Sequence, residues 1–482
     1  MVFSSIAFIM YFMPVFFLVY YILPASYKNA WLFLASLGFY YYGVRGNPGY
    51  LLLMIMSVVV NFVAGKLIAA QKTKRAQKAW LVVGVVYDLG WLILFKYLGF
   101  LIENLNALFG AMHVKVQLET WNLILPIGIS FYTFQIISYL VDVYRRETKA
   151  EKSLISLGTY LCMFPQLIAG PIVNYHLIQE QLHKRKHSME KVESGLKVFA
   201  LGLAYKVLLA NRVGHLWTEV TAIGYESIST PLAWMSIVAY SLQLYFDFYG
   251  YSLMAIGLGR MMGFDFPQNF NNPYMAVSMT DFWRRWHISM TGWFRDYVYF
   301  SLGGSRCAPW RHYLNIVIVF LCSGLWHGAD WRYLAWGLAC GLCAAFGAMT
   351  AKARKKLEKF NPLYRQAWLK AVCQVTITDL LFCVTLVFFA AALYNADPFA
   401  IYSSMLQGWN GLAGSWHQVQ QMLLDCGIDG RLPVVLLFGT FVVLAVEHGG
   451  RSVTRWETGK NPPNTKKNFG YLMWRKRNCV FL

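Results

Sequence analysis

Apolar stretches long enough to cross a lipid bilayer recur along most of this chain. A transmembrane helix needs about 20 predominantly apolar residues. Apolar residues occupy 57% of the 482 positions and charged residues only 14%, against about a quarter charged in soluble globular proteins. We therefore predict an all-α polytopic membrane protein with about nine spans. The predicted spans are 5–23, 29–44, 50–70, 80–96, 122–143, 195–213, 233–259, 371–393 and 433–447.

Basic residues form short clusters between these apolar stretches. Clusters follow the third and fifth predicted spans, precede the sixth and eighth, and fill the C-terminal tail. No Lys or Arg occurs between Lys370 and Arg431. Because cytoplasmic loops are enriched in Lys and Arg, we predict an N-terminus outside the cell membrane and a cytoplasmic C-terminus. The bilayer thus explains the net charge of +20, and no module that binds nucleic acid is recognisable.

Two apolar stretches lie between basic clusters that are both predicted to be cytoplasmic, so neither stretch can cross the membrane once. The first, 153–176, is broken by Pro165 and Pro171 and is predicted to be re-entrant. The second, 313–350, must turn near residues 327–330 and is predicted to be a helical hairpin.

The predicted hairpin carries an imidazole, that of His327, to membrane depth. A helix from Tyr313 to Trp326 rises about 21 Å at about 1.5 Å per residue. This length places His327 beyond the midplane of a hydrocarbon core about 30 Å thick. An ionisable group at that depth is costly and indicates a functional site. The alternative is a histidine hydrogen-bonded within a packed helix turn, which fits this residue about equally well when it is considered alone.

A second concentration of Trp, Arg and His occupies residues 271–299. Its aromatic residues recur at about helical spacing, which predicts an interfacial or partly inserted helix on the cytoplasmic side. Asp281 and Asp296 are predicted to pair with arginines nearby. On composition alone, a belt of Arg and Trp side chains anchoring the helix at the interface explains this pattern.

Several motifs carry a family resemblance. They lie at 125–131, 246–252, 255–259, 266–271, 282–289, 293–297, 302–304 and 324–329. Together they resemble the membrane-bound O-acyltransferase (MBOAT) superfamily, in the bacterial branch of alginate O-acetyltransferase-like proteins. The resemblance covers residues 1 to about 350, whereas the C-terminal third matches only in hydropathy.

The resemblance implies a particular fold and domain organisation. We expect an MBOAT-like helical fold with re-entrant hairpins around a central tunnel. The whole chain, 1–482, would form one multi-pass acyltransferase domain. Within it, 271–350 would be the catalytic core and 449–482 a basic cytoplasmic tail.

The resemblance also implies acyl transfer to a hydroxyl group. His327 matches the catalytic histidine of the family, and His287 matches a second histidine, to which we assign a supporting role. We expect Arg285, Trp286, Trp326 and Asn271 to bind substrate. A buried neutral imidazole can deprotonate a hydroxyl group that attacks a thioester, or it can itself be acylated. The sequence leaves both routes open.

The expected partners follow from the same resemblance and the predicted topology. The acyl donor would be acetyl-CoA, or an acyl-carrier protein, on the cytoplasmic side. The acceptor would be a polysaccharide outside, reached with a secreted or membrane-anchored acetyltransferase partner. No bound cofactor or metal is expected, because the sequence has no clustered metal ligands or nucleotide-binding loop.

Two other functions remain open. One is D-alanyl transfer from a carrier protein to a cell-wall polymer, since that branch has related motifs. The other is a membrane transporter or flippase, which would also have many spans and a buried histidine. A second Trp-His-Gly hairpin, as expected of two related halves, is not visible.

Overall fold

The protein is described by a computed structural model that covers residues 2–121, 123–168, 170–358, 360, 366–407 and 412–426. Every regular element in these ranges is a helix, which confirms the predicted all-α class. The helices of the first half are α1 (Met13–Ile22), α2 (Lys28–Gly43), α3 (Pro48–Ala70), α4 (Lys74–Leu92), α5 (Leu98–Ala111), α6 (Ile129–Arg145), α7 (Leu154–Cys162), α8 (Phe164–Leu167), α9 (Tyr175–His183) and α10 (Met189–Ala204).

The second half continues in the same way. Its helices are α11 (Asn211–Ile223), α12 (Thr230–Met261), α13 (Met279–Arg285), α14 (Ile288–Trp293), α15 (Pro309–His327), α16 (Trp331–Met349), α17 (Ala351–Glu358), α18 (Ala367–Tyr394), α19 (Pro398–Gln407) and α20 (Leu412–Asp425). Four short π-helical segments adjoin these helices. These segments are Phe8–Phe12, Ile93–Tyr97, Tyr205–Ala210 and Phe294–Tyr299.

Four helices in the described part of the chain are long and apolar enough to cross a membrane. They are α3, the continuous helix Lys74–Ala111, α16 and α18. The predicted number of nine spans is therefore not confirmed. The fifth predicted span, 122–143, becomes helical only at Ile129, and 13 of the 17 residues of α6 are buried by protein. The ninth span, 433–447, and the tail, 449–482, lie outside the described residues.

Two helices in the centre of the molecule, α10 and α12, pack with their backbones in close approach. A Cβ atom on Gly195 would lie 2.6 Å from the carbonyl oxygen of Gly257, and one on Gly250 would lie 2.6 Å from that of Gly202. Small residues allow such contacts between membrane helices. Asp247 of α12 forms an ion pair with Lys206, which lies in the π-helical segment that follows α10.

The stretch 153–176 is broken as the sequence predicts. Helix α7 ends at Cys162, the extended residue Met163 turns the chain, and α8 follows for only four residues. All four residues of α8 are buried, and the side chain of Gln166 donates to the carbonyl of Tyr160. The backbone at this break is therefore enclosed by protein, as a break at membrane depth requires.

The stretch 271–299 is not one helix, unlike the predicted interfacial helix. Helix α13 ends at Arg285, and α14 starts at Ile288. His287 lies between them with a left-handed backbone (φ 44°), which a regular helix cannot contain. The predicted ion pairs do form: Arg285 lies 3.0 Å from Asp281, and Arg295 lies 2.8 Å from Asp296.

The predicted hairpin at 313–350 is confirmed. Helix α15 ends at His327, α16 begins at Trp331, and the two helices pack against each other. A Cβ atom on Gly324 would collide with the carbonyl oxygen of Tyr333, and one on Gly337 would collide with that of Phe320. These two glycines let the helices approach closely enough to hold the turn in one position.

Candidate active site

His327 is the last residue of α15 and lies among aromatic rings. The centroid of its imidazole is 4.8 Å from that of Trp326, 5.1 Å from that of Trp336 and 4.9 Å from that of Phe389. The residue is half-buried, and neither ring nitrogen bonds to any protein group that the structure describes. His327 therefore does not match the alternative of a histidine held by a hydrogen bond in a packed turn.

His287 has one ring nitrogen paired and the other free. Its Nδ1 lies 3.0 Å from Oδ1 of Asn269. That oxygen also accepts the backbone N–H of Ser289 at 3.2 Å, so it must be the amide oxygen and cannot donate. Nδ1 of His287 is therefore the protonated nitrogen. Its Nε2 is buried without a partner among the described residues, so in the neutral ring this atom carries a free lone pair.

Burial keeps the imidazole of His287 neutral. The residue is 1% exposed, and burial lowers its pKa to about 3. Desolvation disfavours the charged form of a histidine, and no carboxylate among the described residues forms an ion pair with it. Near pH 7 the ring is therefore a hydrogen-bond acceptor at Nε2.

Trp326 connects the two histidines. Its ring adjoins that of His327 and lies 6.3 Å, between centroids, from that of His287. Its indole N–H is buried without a partner in the described part of the protein, as is that of Trp336. Buried polar groups are normally hydrogen-bonded, so these unpaired donors and the free Nε2 of His287 favour a site that receives a polar ligand.

A lysine from a distant part of the chain stabilises the end of α15. Nζ of Lys96 donates to the carbonyl of Trp326 and to the hydroxyl of Ser130 at 3.2 Å. The neighbouring Tyr97 donates its hydroxyl to the carbonyl of Leu325 at 2.7 Å. The last carbonyls of a helix lack partners within the helix and favour a nearby cation. The π-helical segment Ile93–Tyr97 thus supplies the groups that cap the helix bearing His327.

Three of the predicted substrate-binding residues lie near α13: Asn271 precedes the helix, Arg285 is its last residue and Trp286 follows it. The side chain of Arg285 forms an ion pair with Asp281, and the backbone carbonyl of Arg285 accepts the backbone N–H of Asn271. Asn271 is exposed. Trp286 is 6% exposed and stacks on Phe282 at 5.5 Å. Unlike Trp326, none of these three makes a described ring contact with His327 or His287. Their role in substrate binding stays a prediction.

The sequence did not point to four residues that shape the site. Asn269, Lys96, Trp336 and Phe389 each contact a histidine or the helix end that carries it. Asn269 lies inside a recognised motif, and Lys96 is a lysine in a predicted span, so both offered a signal. Phe389 is one of many Phe residues in apolar helices and offered none. Among the described residues, no group of three His, Cys, Asp or Glu side chains is arranged to hold a metal ion.

Comparison with known proteins bears on this arrangement. The chain is 43% identical over 339 residues to the probable alginate O-acetylase of Azotobacter vinelandii, covering 70% of this chain and 66% of that protein. It is 36% identical over 404 residues to the peptidoglycan O-acetyltransferase of Helicobacter pylori, covering 77% and 74%. It is 28% identical over 289 residues to the teichoic acid D-alanyltransferase of Bacillus subtilis, covering 58% and 70%.

The match to a family is consistent with these similarities. The chain spans about two thirds of the length of the first two alginate O-acetylases that it matches. The model of the membrane-bound O-acyltransferase (MBOAT) family matches residues 145–372. This range contains His287, His327 and the α15–α16 hairpin. The chain therefore belongs to the membrane-bound O-acyltransferase family, in its alginate O-acetyltransferase-like branch.

Proposed function

We propose that this protein is a membrane O-acyltransferase that passes an acetyl group from a cytoplasmic thioester to a hydroxyl group destined for an extracytoplasmic polysaccharide. The observation that carries the proposal is the geometry of His327. Its imidazole nitrogens are free of described protein hydrogen bonds, it is surrounded by aromatic rings, and Trp326 connects it to a second neutral histidine. An imidazole so placed is available for proton transfer or acyl transfer.

His327 would act on the attacking hydroxyl group. In the simplest route a ring nitrogen accepts the hydroxyl proton while the oxygen attacks the thioester carbonyl. The new C–O bond forms, the C–S bond breaks, and the proton passes to the departing thiolate. A second route forms an acyl-histidine first, and the acyl group then moves to the hydroxyl oxygen. Both routes need a neutral imidazole, which the apolar surroundings favour.

The groups beside His327 suit the remaining tasks. The free Nε2 of His287 would accept a hydrogen bond from a second donor on the acceptor, such as a neighbouring hydroxyl group, and so orient the acceptor. The unpaired indole N–H groups of Trp326 and Trp336 are the donors available to the thioester carbonyl oxygen, on which negative charge develops in the transition state. Asn269 fixes the tautomer of His287, so it is a positioning residue.

The predicted topology gives the reaction a direction. Acetyl-CoA is available only in the cytoplasm, whereas the polymer lies outside. With the N-terminus outside and the C-terminus inside, α15 would rise from the cytoplasmic face and hold His327 beyond the midplane. The acetyl group would then cross the membrane without the whole donor, and a secreted or anchored partner would complete the transfer to the polysaccharide.

D-alanyl transfer from a carrier protein is the second candidate function. The similarity to a teichoic acid D-alanyltransferase favours it, although at a lower identity than the similarity to O-acetylases. The same hairpin chemistry serves both reactions, since each moves an acyl group from a thioester to a hydroxyl group. The difference lies in the donor that is recognised on the cytoplasmic side.

The test compares cells that lack the protein with cells that express it at a matched membrane level. Ester-linked acetate and ester-linked alanine are both measured in the isolated envelope polymers. We expect acetate to fall without the protein and to return with it, with alanine unchanged. A change in alanine alone would replace the proposal by D-alanyl transfer, and no change in either ester would reject acyl transfer to the polymers.

A further inference from the structure

A cluster of cations surrounds a buried tyrosine where the start of α2 meets the end of α9. The hydroxyl of Tyr20 donates to the carbonyl of Met262 at 2.8 Å and accepts from Nε of Arg185 at 3.2 Å. It also lies 3.1 Å from Nε2 of His187. Because Tyr20 has already given its single proton to a carbonyl, Nε2 of His187 must be the donor in this contact. In the neutral ring Nδ1 of His187 is then a hydrogen-bond acceptor, which cannot donate to an anion.

Lys28 is a further cation of this cluster, and its ammonium has no hydrogen-bond partner among the described residues. Its ammonium lies 4.9 Å from the ring centroid of Tyr20 and 5.1 Å from that of Tyr21, and the residue is 8% exposed. No hydrogen bond or ion pair to a described group reaches its Nζ atom. Lys28 is also the first residue of α2, where the helix dipole opposes a positive charge.

The acidic residue beside the cluster is already paired. Asp265 lies 3.0 Å from Nζ of Lys191, and within the described residues no carboxylate pairs with Lys28 or Arg185. The positive charges of the cluster also act on His187. Its pKa is lowered to about 4, first by burial and then by the charges of Lys28, Arg185 and Lys191. A largely buried charge that lacks a counterion is unfavourable. The unpaired charges of Lys28 and Arg185 therefore favour a bound anion.

Two features favour a phosphate group as that anion. Arg185 keeps Nη2 for an anion, since its Nε donates to the hydroxyl of Tyr20 and its Nη1 to the carbonyls of Gln181 and Leu182 at the end of α9. A hydrogen bond from a guanidinium to phosphate is charge-assisted and therefore strong. The uncapped start of α2 adds backbone N–H groups and a positive dipole, which favour phosphate in the same way. The aromatic rings of Tyr20 and Tyr21 lie beside the ammonium of Lys28, at 4.9 and 5.1 Å from their centroids.

We propose that Lys28 and Arg185 form a binding site for a phosphate-bearing ligand, separate from the histidine hairpin. Two sources share this chemistry: the headgroup of an anionic phospholipid and a soluble phosphate compound. The site does not depend on the proposed acyl transfer, because none of its residues contacts His327 or His287 in the described structure.

The test measures the thermal unfolding midpoint, Tm, of the purified full-length chain in a neutral detergent. Two probes are titrated separately at constant ionic strength: dioctanoyl phosphatidylglycerol and inorganic phosphate. We expect at least one probe to raise the Tm of the wild type in a saturable way. A response to the lipid alone identifies a headgroup site, and a response to inorganic phosphate identifies a site for soluble phosphate. A Tm that neither probe raises would overturn the proposal.

Two variants make this test specific. Lys28→Met should weaken the response about tenfold or more, because one charge-assisted hydrogen bond is lost. Lys66→Met is the matched control: Lys66 also lies over an aromatic ring, 4.1 Å from the centroid of Phe62, but it is exposed. We expect its response to equal that of the wild type. An equal response from Lys28→Met would contradict the proposal.

The Tm without any probe gives a second, independent check. Replacing an uncompensated charge by an apolar side chain of similar length removes a cost to the folded state. We therefore expect Lys28→Met to unfold at or above the Tm of the wild type in the absence of phosphate. A Tm clearly below that of the wild type would mean that the charge of Lys28 already stabilises the folded protein without phosphate, and the phosphate site would be rejected.

Discussion

The two ring nitrogens of His287 differ in their hydrogen bonding because the side-chain amide of Asn269 pairs with only one of them. Asn269 presents its oxygen to Nδ1 and its nitrogen to Ser252, whose hydroxyl lies 3.0 Å away. Trp326 and Phe248 pack against the same imidazole, with centroids 6.3 and 4.6 Å away. The ring is therefore fixed in position and tautomer, while Nε2 stays free. His327 lacks such a bond, so its nitrogens stay available to the reacting groups.

Replacing Asn269 should impair catalysis through His287. In Asn269→Leu no acceptor holds Nδ1–H, so the ring can rotate or change tautomer, and we expect acyl transfer to slow by about tenfold to a hundredfold. Asn269→Asp keeps an acceptor oxygen and should restore part of the rate. The measurement is the rate of acyl transfer in membranes with matched protein levels. Equal loss in both variants would point to a purely structural role for Asn269.

The buried, neutral state of His287 predicts how stability depends on pH. Its pKa is about 3 in the folded protein and about 6.5 in the unfolded chain. Below pH 6.5 the unfolded chain binds a proton here that the folded protein does not. Stability should therefore fall as the pH drops from 6.5 towards 3, by at most about 1.4 kcal/mol per pH unit.

His287→Gln removes this contribution and tests it. Between pH 7.5 and pH 5 the Tm of the variant should fall less steeply than that of the wild type. His187, whose pKa is also lowered, is present in both proteins, so the difference between the two slopes isolates His287. Identical slopes would show that His287 takes up a proton equally well in the folded protein.

The residues that the sequence singled out for the candidate site are those whose chemistry is unusual in its surroundings. His327 stood out as an ionisable group in an uncharged run, and His287 came from the motif that resembles the family. Lys96 bonds to Trp326, which is 230 residues away in the sequence, and Asn269 bonds to His287, which is 18 residues away. Only the packed fold reveals such pairs. Their roles depend on distances in space, which the local sequence does not contain.

Helical elements position the site through close packing rather than through polar bonds. At the hairpin, Gly324 and Gly337 bring α15 and α16 together, and Gly328 leaves room for the ring of Tyr333. The sequence predicted this turn because both ends of the stretch adjoin basic clusters. It did not predict the division of 271–299 at His287, because a left-handed residue there is stabilised by a tertiary hydrogen bond.

A methyl group at the hairpin contact should disrupt the site. Gly324→Ala would force its Cβ atom against the carbonyl oxygen of Tyr333, and either α16 must shift or the turn at His327 must change. We expect a loss of acyl transfer and a Tm reduced by an amount corresponding to about 1–3 kcal/mol. Gly90→Ala, in α4, is the control, since no atom lies within 4 Å of its added Cβ.

The control should keep both its activity and its stability, because alanine favours a helix more than glycine does. Activity and Tm are measured together for the two variants. If Gly324→Ala matched Gly90→Ala in both quantities, the close approach of the two helices would not determine the position of His327.

Across the whole molecule, the C-terminal helices complete a site whose motifs lie earlier in the chain. Phe389 of α18 packs on His327, and Arg332 donates to the carbonyls of Ala391 and Ala396 at 3.2 and 3.1 Å. The family resemblance in the sequence stops near residue 350, so it could not show this closure. The predicted number of nine spans is not confirmed, since some apolar helices, such as α6, are largely buried by protein.

The charge pattern also predicts an orientation, which cysteine labelling can test. Lys72 lies between α3 and α4 on the predicted cytoplasmic side, and Phe399 lies after α18 on the predicted outer side; both are exposed. In intact cells an impermeant maleimide should label Phe399→Cys above the background of the parent protein. It should label Lys72→Cys only after the membrane is disrupted. The reverse pattern would invert the proposed direction of acyl transfer.

The measurement that tests the central claim most directly is the acetyl ester content of the envelope polysaccharide in cells that carry His327→Ala or His312→Ala. Both histidines lie on α15, but Nδ1 of His312 is paired with the hydroxyl of Tyr299 at 2.9 Å, at the opposite end of the helix. At matched membrane levels, we predict that His327→Ala abolishes acetylation and that His312→Ala largely retains it. Full acetylation in cells carrying His327→Ala would contradict the account.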